Sequence, residues 1–171
     1  VMIRRLRKTT VLTYHDSITG LPNRFRFQEL CRTALVRAKR QEASVGVLFI
    51  AIDLFQSNNE SLGFAPGDEL LNAVAARLRE TLGDAHPVAR LLADGFGVLL
   101  EDLGNNTAEL AAIADQILGA FHRPLIIAGR PHYVTVSIGV GVFPQDGNDP
   151  DELLRSAESA SGPAQDAGGK P

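Results

Sequence analysis

The sequence contains no tryptophan, one methionine and a single cysteine, Cys31. One thiol excludes an intramolecular disulfide framework and any cysteine-cluster metal site, and the expected setting is a reducing compartment. Long apolar runs are missing too: the longest, Val45 to Ile52, has the length of a strand and falls well short of the roughly 18 residues of a membrane span. Neither sign of charge dominates, because the formal net charge is -3 and the pI is near 5.8, which gives no electrostatic reason to expect nucleic acid as a partner. No apolar segment of signal-peptide type follows the first basic residues. What is present is ordinary for a globular chain: 171 residues, 44% hydrophobic and 22% charged, which excludes wholesale disorder, collagen and coiled coil. The length predicts one domain with a real hydrophobic core.

Charge is nevertheless uneven. Arg4, Arg5, Arg7 and Lys8 crowd the start, and residues 1–13 read as a solvated helical linker. A chain opening on Val1 in mid-pattern reads as excised from something longer. From Ser161 the sequence turns to Gly, Pro, Ala and Ser without periodicity, so residues 161–171 are expected to be a frayed, flexible tail, leaving 14–160 as the domain.

Apolar periodicity between these limits switches repeatedly between the helical and strand periods, the mark of a mixed α and β domain. Arg24 to Arg40 reads as a helix with Phe27, Leu30, Cys31, Ala34, Leu35 and Ala38 on one face. Ser44 to Phe55 suits a central strand buried on both faces. Leu70, Leu71, Val74, Ala75, Leu78 and Leu82 form a second helical stripe. Val88 to Leu92 and Phe96 to Leu100 read as a hairpin around Asp94-Gly95. Thr107 is placed to cap a third helix with Leu110, Ile113, Ala114, Ile117, Leu118 and Phe121 on its face. Leu125 to Ala128 and Tyr133 to Phe143 predict a second hairpin, and Asp151 to Ala160 a short last helix. The order contains a βαββαβ unit, so the fold class is α/β (α+β) with a ferredoxin-like core, its central sheet flanked by helices.

On these elements, Asp16-Ser17-Ile18-Thr19-Gly20-Leu21-Pro22-Asn23-Arg24 resembles the entry motif of the GGDEF domain, the diguanylate cyclase family, whose members join two GTP molecules into cyclic di-GMP. Further stretches match in the family's order: Asn59 to Asp68, the hairpin after Arg90, and Ser137-Ile138-Gly139-Val140 running into Pro144-Gln145-Asp146-Gly147. The resemblance covers Tyr14 to Ala160 and implies the palm-type fold of the nucleotidyl cyclases.

The same resemblance implies a degenerate site. Where the family has Gly-Gly, an acid, Glu and Phe, this chain reads Leu92-Ala93-Asp94-Gly95-Phe96, so only the third and fifth positions survive. Leu92 and Ala93 put side chains where the family's glycines let the turn approach phosphate. Asp94 retains a carboxylate and is a weak candidate metal ligand; Gly95 retains none. The family's metal aspartate and nearby lysine on the central strand fall on Ala51 and Gln56. Asp53 remains, on the same face as Ala51 but roughly 6 to 7 Å along the strand, too far to replace a ligand in the tight octahedral shell of Mg²⁺ without a strand slip. A structural carboxylate is therefore the favoured reading of Asp53 over a relocated metal ligand. The family's C-terminal Lys and Arg align loosely with Gln165 and Gly169, and Lys170 lies in the tail. On the guanine side, Asn59 and Asp68 match the base-recognising positions, though Asn59 also reads as a turn residue and Asp68 as a helix N-terminal acid; the balance lies slightly toward the structural reading. The family's product-inhibition motif falls on Gly83-Asp84-Ala85-His86 and keeps neither required residue. His15, His86, His122 and His132 show no metal-ligand spacing.

These readings predict a catalytically inactive regulatory or dimerisation module of a bacterial cyclic di-GMP signalling protein. It needs no cofactor, is cytoplasmic, and lies beside sensor and EAL phosphodiesterase domains of the same chain, in a parent protein that membrane anchoring would also suit. GTP is a candidate ligand, nucleic acid is not, and any homodimer is weak because Ile3, Leu6 and Thr13 offer a thin seam. The alternative is a low-activity diguanylate cyclase using Mg²⁺ on Asp94 and Asp53. An unrelated ferredoxin-like interaction domain would require the ordered motif matches to be coincidence.

Overall fold

The computed structural model describes residues 14–53, 66–103 and 107–168. In chain order its elements are α1 (Arg24–Gln41), β1 (Val45–Ile52), α2 (Pro66–Leu82), β2 (Val88–Leu92), β3 (Gly95–Leu100), α3 (Ala108–Ala120), β4 (Leu125–Ile127), β5 (Arg130–His132), β6 (Val136–Phe143) and α4 (Pro150–Gly168). Four strands form one sheet in the order β2-β3-β1-β6. β1 runs antiparallel to both neighbours, with Ala51 opposite Gly95 on β3 and Ser137 on β6. This is the ferredoxin-like arrangement that the sequence predicts.

Every residue of β1 is buried, as expected for a strand with helices on both faces. Strand alternation divides it: Leu48, Ile50 and Ile52 enter a core shared with the apolar stripes of α2 and α3. Val45, Val47, Phe49 and Ala51 enter a second core with Phe27, Cys31 and Leu35 of α1 and Leu153, Leu154 and Ala157 of α4.

Several expectations are corrected. Tyr133 to Phe143 is not the partner of Leu125 to Ala128; β4 pairs with β5, as a separate two-stranded sheet, and β6 joins the main sheet. The signature turn is Ala93-Asp94, because Gly95 already pairs with Ala51. Thr107 occupies the N-cap position of α3 but its side chain makes no capping hydrogen bond. The last helix extends through Gly168, so the frayed tail expected from Ser161 is helical that far. Its hold on β6 is close: a Cβ on Gly139 would overlap the Ala157 carbonyl oxygen and the Ser161 amide nitrogen. The linker expected at 1–13 lies outside the described residues, as do Phe55 and Gln56. No described helix is long and apolar enough to cross a membrane.

Candidate functional site

The entry motif folds into a turn that grips the signature hairpin. The Asp16 carboxylate accepts from the Thr19 backbone N–H at 2.7 Å and from its hydroxyl at 2.8 Å, while Asp16 N–H donates to the Leu21 carbonyl at 2.7 Å. Asn23 then caps α1 by accepting from Arg26 N–H at 3.0 Å. Across the turn, Arg90 N–H donates to the Pro22 carbonyl at 2.9 Å, and its guanidinium meets Asp16 at 2.9 Å and the Ala93 carbonyl at 3.2 Å. Arg90 therefore joins entry turn and signature turn. The spacing of Asp16 and Thr19 was its sequence signal, that of a side chain bonding its own backbone a few residues on, but the partner on β2 is visible only in the fold.

The signature hairpin is irregular. Its register shifts between Arg90 and Leu92, a bulge that leaves Leu92 44% exposed. Ala93 is exposed and Asp94 half-buried. The Asp94 carbonyl accepts from Ile52 N–H at 3.0 Å, which ties the turn to the end of β1. Its carboxylate makes no hydrogen bond or ion pair among the described residues. Phe96 is fully buried in the core. Gly95 is backed by the Phe49 ring: a Cβ there would lie 2.8 Å from Phe49 Cε2 and 3.4 Å from Leu92 Cβ, so any side chain at 95 requires that ring to turn away. Ala51, opposite Gly95, is 3% exposed and carries only a methyl group.

Asp53 is 2% exposed, and both carboxylate oxygens face hydroxyls of the neighbouring segment. Ser137 Oγ donates to one at 2.6 Å and Thr135 Oγ1 to the other at 2.7 Å, while Asp53 N–H donates to the Thr135 carbonyl at 2.9 Å. The carboxylate fastens β1 to β6. The alternation Thr135-x-Ser137 places both hydroxyls on one face and was the overlooked signal.

On the guanine side, Asp68 is exposed in the first turn of α2, where its backbone carbonyl accepts from Asn72 Nδ2 at 3.0 Å. Asn59 lies outside the described residues, as do Gly169 and Lys170; Gln165 lies on α4. Gly83 to His86 form the turn between α2 and β2, with Gly83 at φ +60 and its N–H donating to Arg79 at 2.7 Å. Among the described residues, no group of three or more His, Cys, Asp or Glu is gathered as metal ligands would be.

Comparison with known proteins agrees with the fold. The family described as diguanylate cyclase, GGDEF domain, matches residues 13–171. Diguanylate cyclase TpbB of Pseudomonas aeruginosa is 36% identical over 86% of this chain and 34% of its own length. Cyclic di-GMP phosphodiesterase NbdA of the same organism is 34% identical over 84% of the chain and 18% of its length. Cyclic di-GMP phosphodiesterase PdeR of Escherichia coli is 32% identical over 96% and 24%. The chain thus spans between 18% and 34% of the length of these curated relatives. The solved GGDEF domain of TpbB superposes with a TM-score of 0.83 at 36% identity, covering 90% of this chain and 89% of that one.

Proposed function

The chain belongs to the diguanylate cyclase GGDEF family, and from that membership we propose that it is a catalytically inactive member, serving as a regulatory or dimerisation module of a cytoplasmic cyclic di-GMP signalling protein. The observation that carries this reading is the row formed by Ala51 and Gly95, paired across β1 and β3 at the positions where the family keeps two of its carboxylates. Phosphoryl transfer rests on positioned cations that neutralise developing charge. A methyl group and a glycine packed under Phe49 offer such a cation no oxygen, and Asp53 spends both of its oxygens on hydroxyls. The residues present therefore do not fit the Mg²⁺ that the family implies, and no cofactor enters the proposal.

Neighbouring sensor and EAL-type domains are the proposed partners, supported by relatives that are longer proteins and include two named as phosphodiesterases. A second reading, a slow diguanylate cyclase, is favoured only by the Asp94 carboxylate, which is unengaged among the described residues. Chromatography of an overnight incubation with GTP and Mg²⁺ or Mn²⁺ separates the two. The expected result is no cyclic di-GMP above a protein-free control. Product that disappears on Asp94→Ala would establish the slow cyclase instead.

A further inference from the structure

Charge is divided between the two sides of the sheet. Residues 1–42 hold ten of the 17 Lys and Arg but three of the 20 Asp and Glu. Helix α1, packed on one side through Phe27, Cys31 and Leu35, carries six basic residues and one acid, Glu29. Helix α3, packed on the other, carries Glu109 and Asp115 and no basic residue. A solvated helical face ordinarily mixes both signs in pairs three or four residues apart. Within α1 such pairing is confined to Arg26 and Glu29, 3.2 Å apart. Arg24 meets Glu158 of α4 and Arg37 meets Glu101, just past β3. Arg32, Lys39 and Arg40 are exposed and make no ion pair among the described residues. Lys39 and Arg40 suit the negative end of the helix dipole, but Arg32, in mid-helix, gains nothing from it.

The helical period sets Arg32 and Arg40 on one outward stripe with Phe25 and Val36, along about 22 Å of helix axis. Phe25 is 50% exposed and Val36 49%. Phe25 stacks on Tyr14 with ring centroids 5.7 Å apart, and the Arg26 guanidinium lies over the Tyr14 ring. We propose that this face of α1 rests on an anionic lipid surface. That contact is independent of whether the chain turns over GTP. Anionic leaflets attract clusters of about four to eight Lys or Arg on a helix, and α1 exposes five: Arg26, Arg32, Arg37, Lys39 and Arg40. Long basic side chains reach headgroups while an isolated Phe or Val enters the interface. A protein partner is disfavoured, because interface cores are depleted in charge and gather their apolar groups at the centre. Phe25 and Val36 instead stand about 16 Å apart along the helix, with charged residues between them. Nucleic acid is disfavoured as well, since domains that bind it typically have a pI above about 9 and this chain's is near 5.8. A bilayer meets one side of the molecule only. The acidic side lies a sheet and a helix layer further off, beyond the Debye length of about 8 Å at physiological salt.

The test is cosedimentation of the whole chain with phosphatidylcholine vesicles, plain or with about one-third phosphatidylserine. The chain should pellet with the mixed vesicles, stay in solution with the plain ones, and be released by salt. Arg32→Glu with Arg40→Glu should lower that partition at least roughly tenfold, at an unchanged thermal midpoint because both side chains are exposed. Arg123→Glu with Arg130→Glu makes the same charge change on the β4–β5 hairpin, whose buried residues enter the other core, and should leave partition within roughly twofold. A fluorophore on Val36→Cys should be quenched by a lipid-borne spin label, and one on Leu118→Cys of α3 should not; the buried Cys31 takes no label. That pair of probes separates α1 itself from the basic residues at 4–8 as the point of contact. No pelleting with the mixed vesicles, equal pelleting with the plain ones, equal loss in both charge-reversal variants, or quenching as strong at Leu118 as at Val36 would each overturn the proposal. Binding of random-sequence duplex DNA as tight as that of the mixed vesicles, at the same salt, would overturn it in favour of nucleic acid.

Discussion

Asp16 is a carboxyl that its neighbours keep ionised. Burial by itself would raise its pKa, but the two hydrogen bonds from Thr19 and the charge of Arg90 outweigh burial and hold it below the ordinary carboxylate value. A carboxyl depressed in the folded state contributes stability that is present above its unfolded pKa, about 3.9, and is lost as pH falls through the folded value. Asp16→Asn, which leaves the Arg90 charge unmatched in a half-closed site, is expected to cost about 1 to 2 kcal/mol at pH 7. Denaturant unfolding followed from pH 7 down to pH 3 should show the gap between wild type and Asp16→Asn narrowing in acid; a gap independent of pH would rule out the pin. Cys31 lies at the other extreme. Burial, reinforced by the charge of Glu101, pushes its thiol up to about 12, so it carries almost no thiolate at neutral pH. Ellman's reagent should react with it only as fast as the protein unfolds, and rapid stoichiometric labelling of native protein would contradict its placement in the core. That Ala51, Gly95 and Gln56 carry no charge was legible at this scale from the residues themselves. What surrounds the site was not: the Phe49 ring against Gly95 and the Thr135 and Ser137 hydroxyls on Asp53 come from segments distant in sequence.

Helices α1 to α3 were legible because each carries an apolar stripe at the 3.6-residue period long enough to outweigh local noise. β5 was not, since Arg130-Pro131-His132 is too short and too polar to show a strand period, and the sequence points instead to the longer apolar run of β6 as the partner of β4. The end of α4 failed for another reason. Ser161 and Gly162 look like helix breakers locally, yet Ser161 is buried against β6 and its hydroxyl donates to the Glu158 carbonyl at 2.7 Å. Tertiary contact overrides propensity there. That contact depends on Gly139, where a Cβ would strike helix backbone rather than a side chain able to swing aside. Gly139→Ala should therefore lift α4 and cost about 2 to 3 kcal/mol; a loss below about 0.5 kcal/mol, the range of a neutral surface change, would mean that the helix does not sit so close. The β4–β5 turn offers the reverse case. Ala128 holds φ +53, a conformation that costs a residue with a Cβ about 1 kcal/mol. Ala128→Gly should raise stability by part of that amount, offset by the greater freedom of glycine in the unfolded chain, and a destabilised variant would contradict the turn geometry.

In the whole molecule packing is complete, and the proposed reading confines the departures from the family pattern to the positions of chemistry. Both cores are filled, the sheet order is intact, and the entry turn is pinned to the signature turn through Arg90. On the proposed reading, the positions that would touch phosphate and metal are those of Leu92, Ala93, Gly95 and Ala51. A nucleotide site made of two halves, a base pocket and a phosphate clamp, need not lose both at once. Asp68 stays exposed at the head of α2, able to accept from the ring N–H and the exocyclic amine of guanine. On that reading the phosphate half lacks the family's glycines, and Leu92 stands exposed at the bulge. If base recognition alone persists, the free energy of binding comes from the guanine and hardly at all from the phosphates. Titration calorimetry with GTP, GMP and ATP reads this directly. GTP and GMP should bind alike within roughly threefold, weakly, near the millimolar range, and ATP should bind less than either. Asp68→Ala should then abolish the preference for guanine while leaving the fold unchanged, since its side chain is exposed. Micromolar GTP binding that GMP fails to match would instead require cations to be holding the phosphates, and the phosphate half of the site would have to be counted as working.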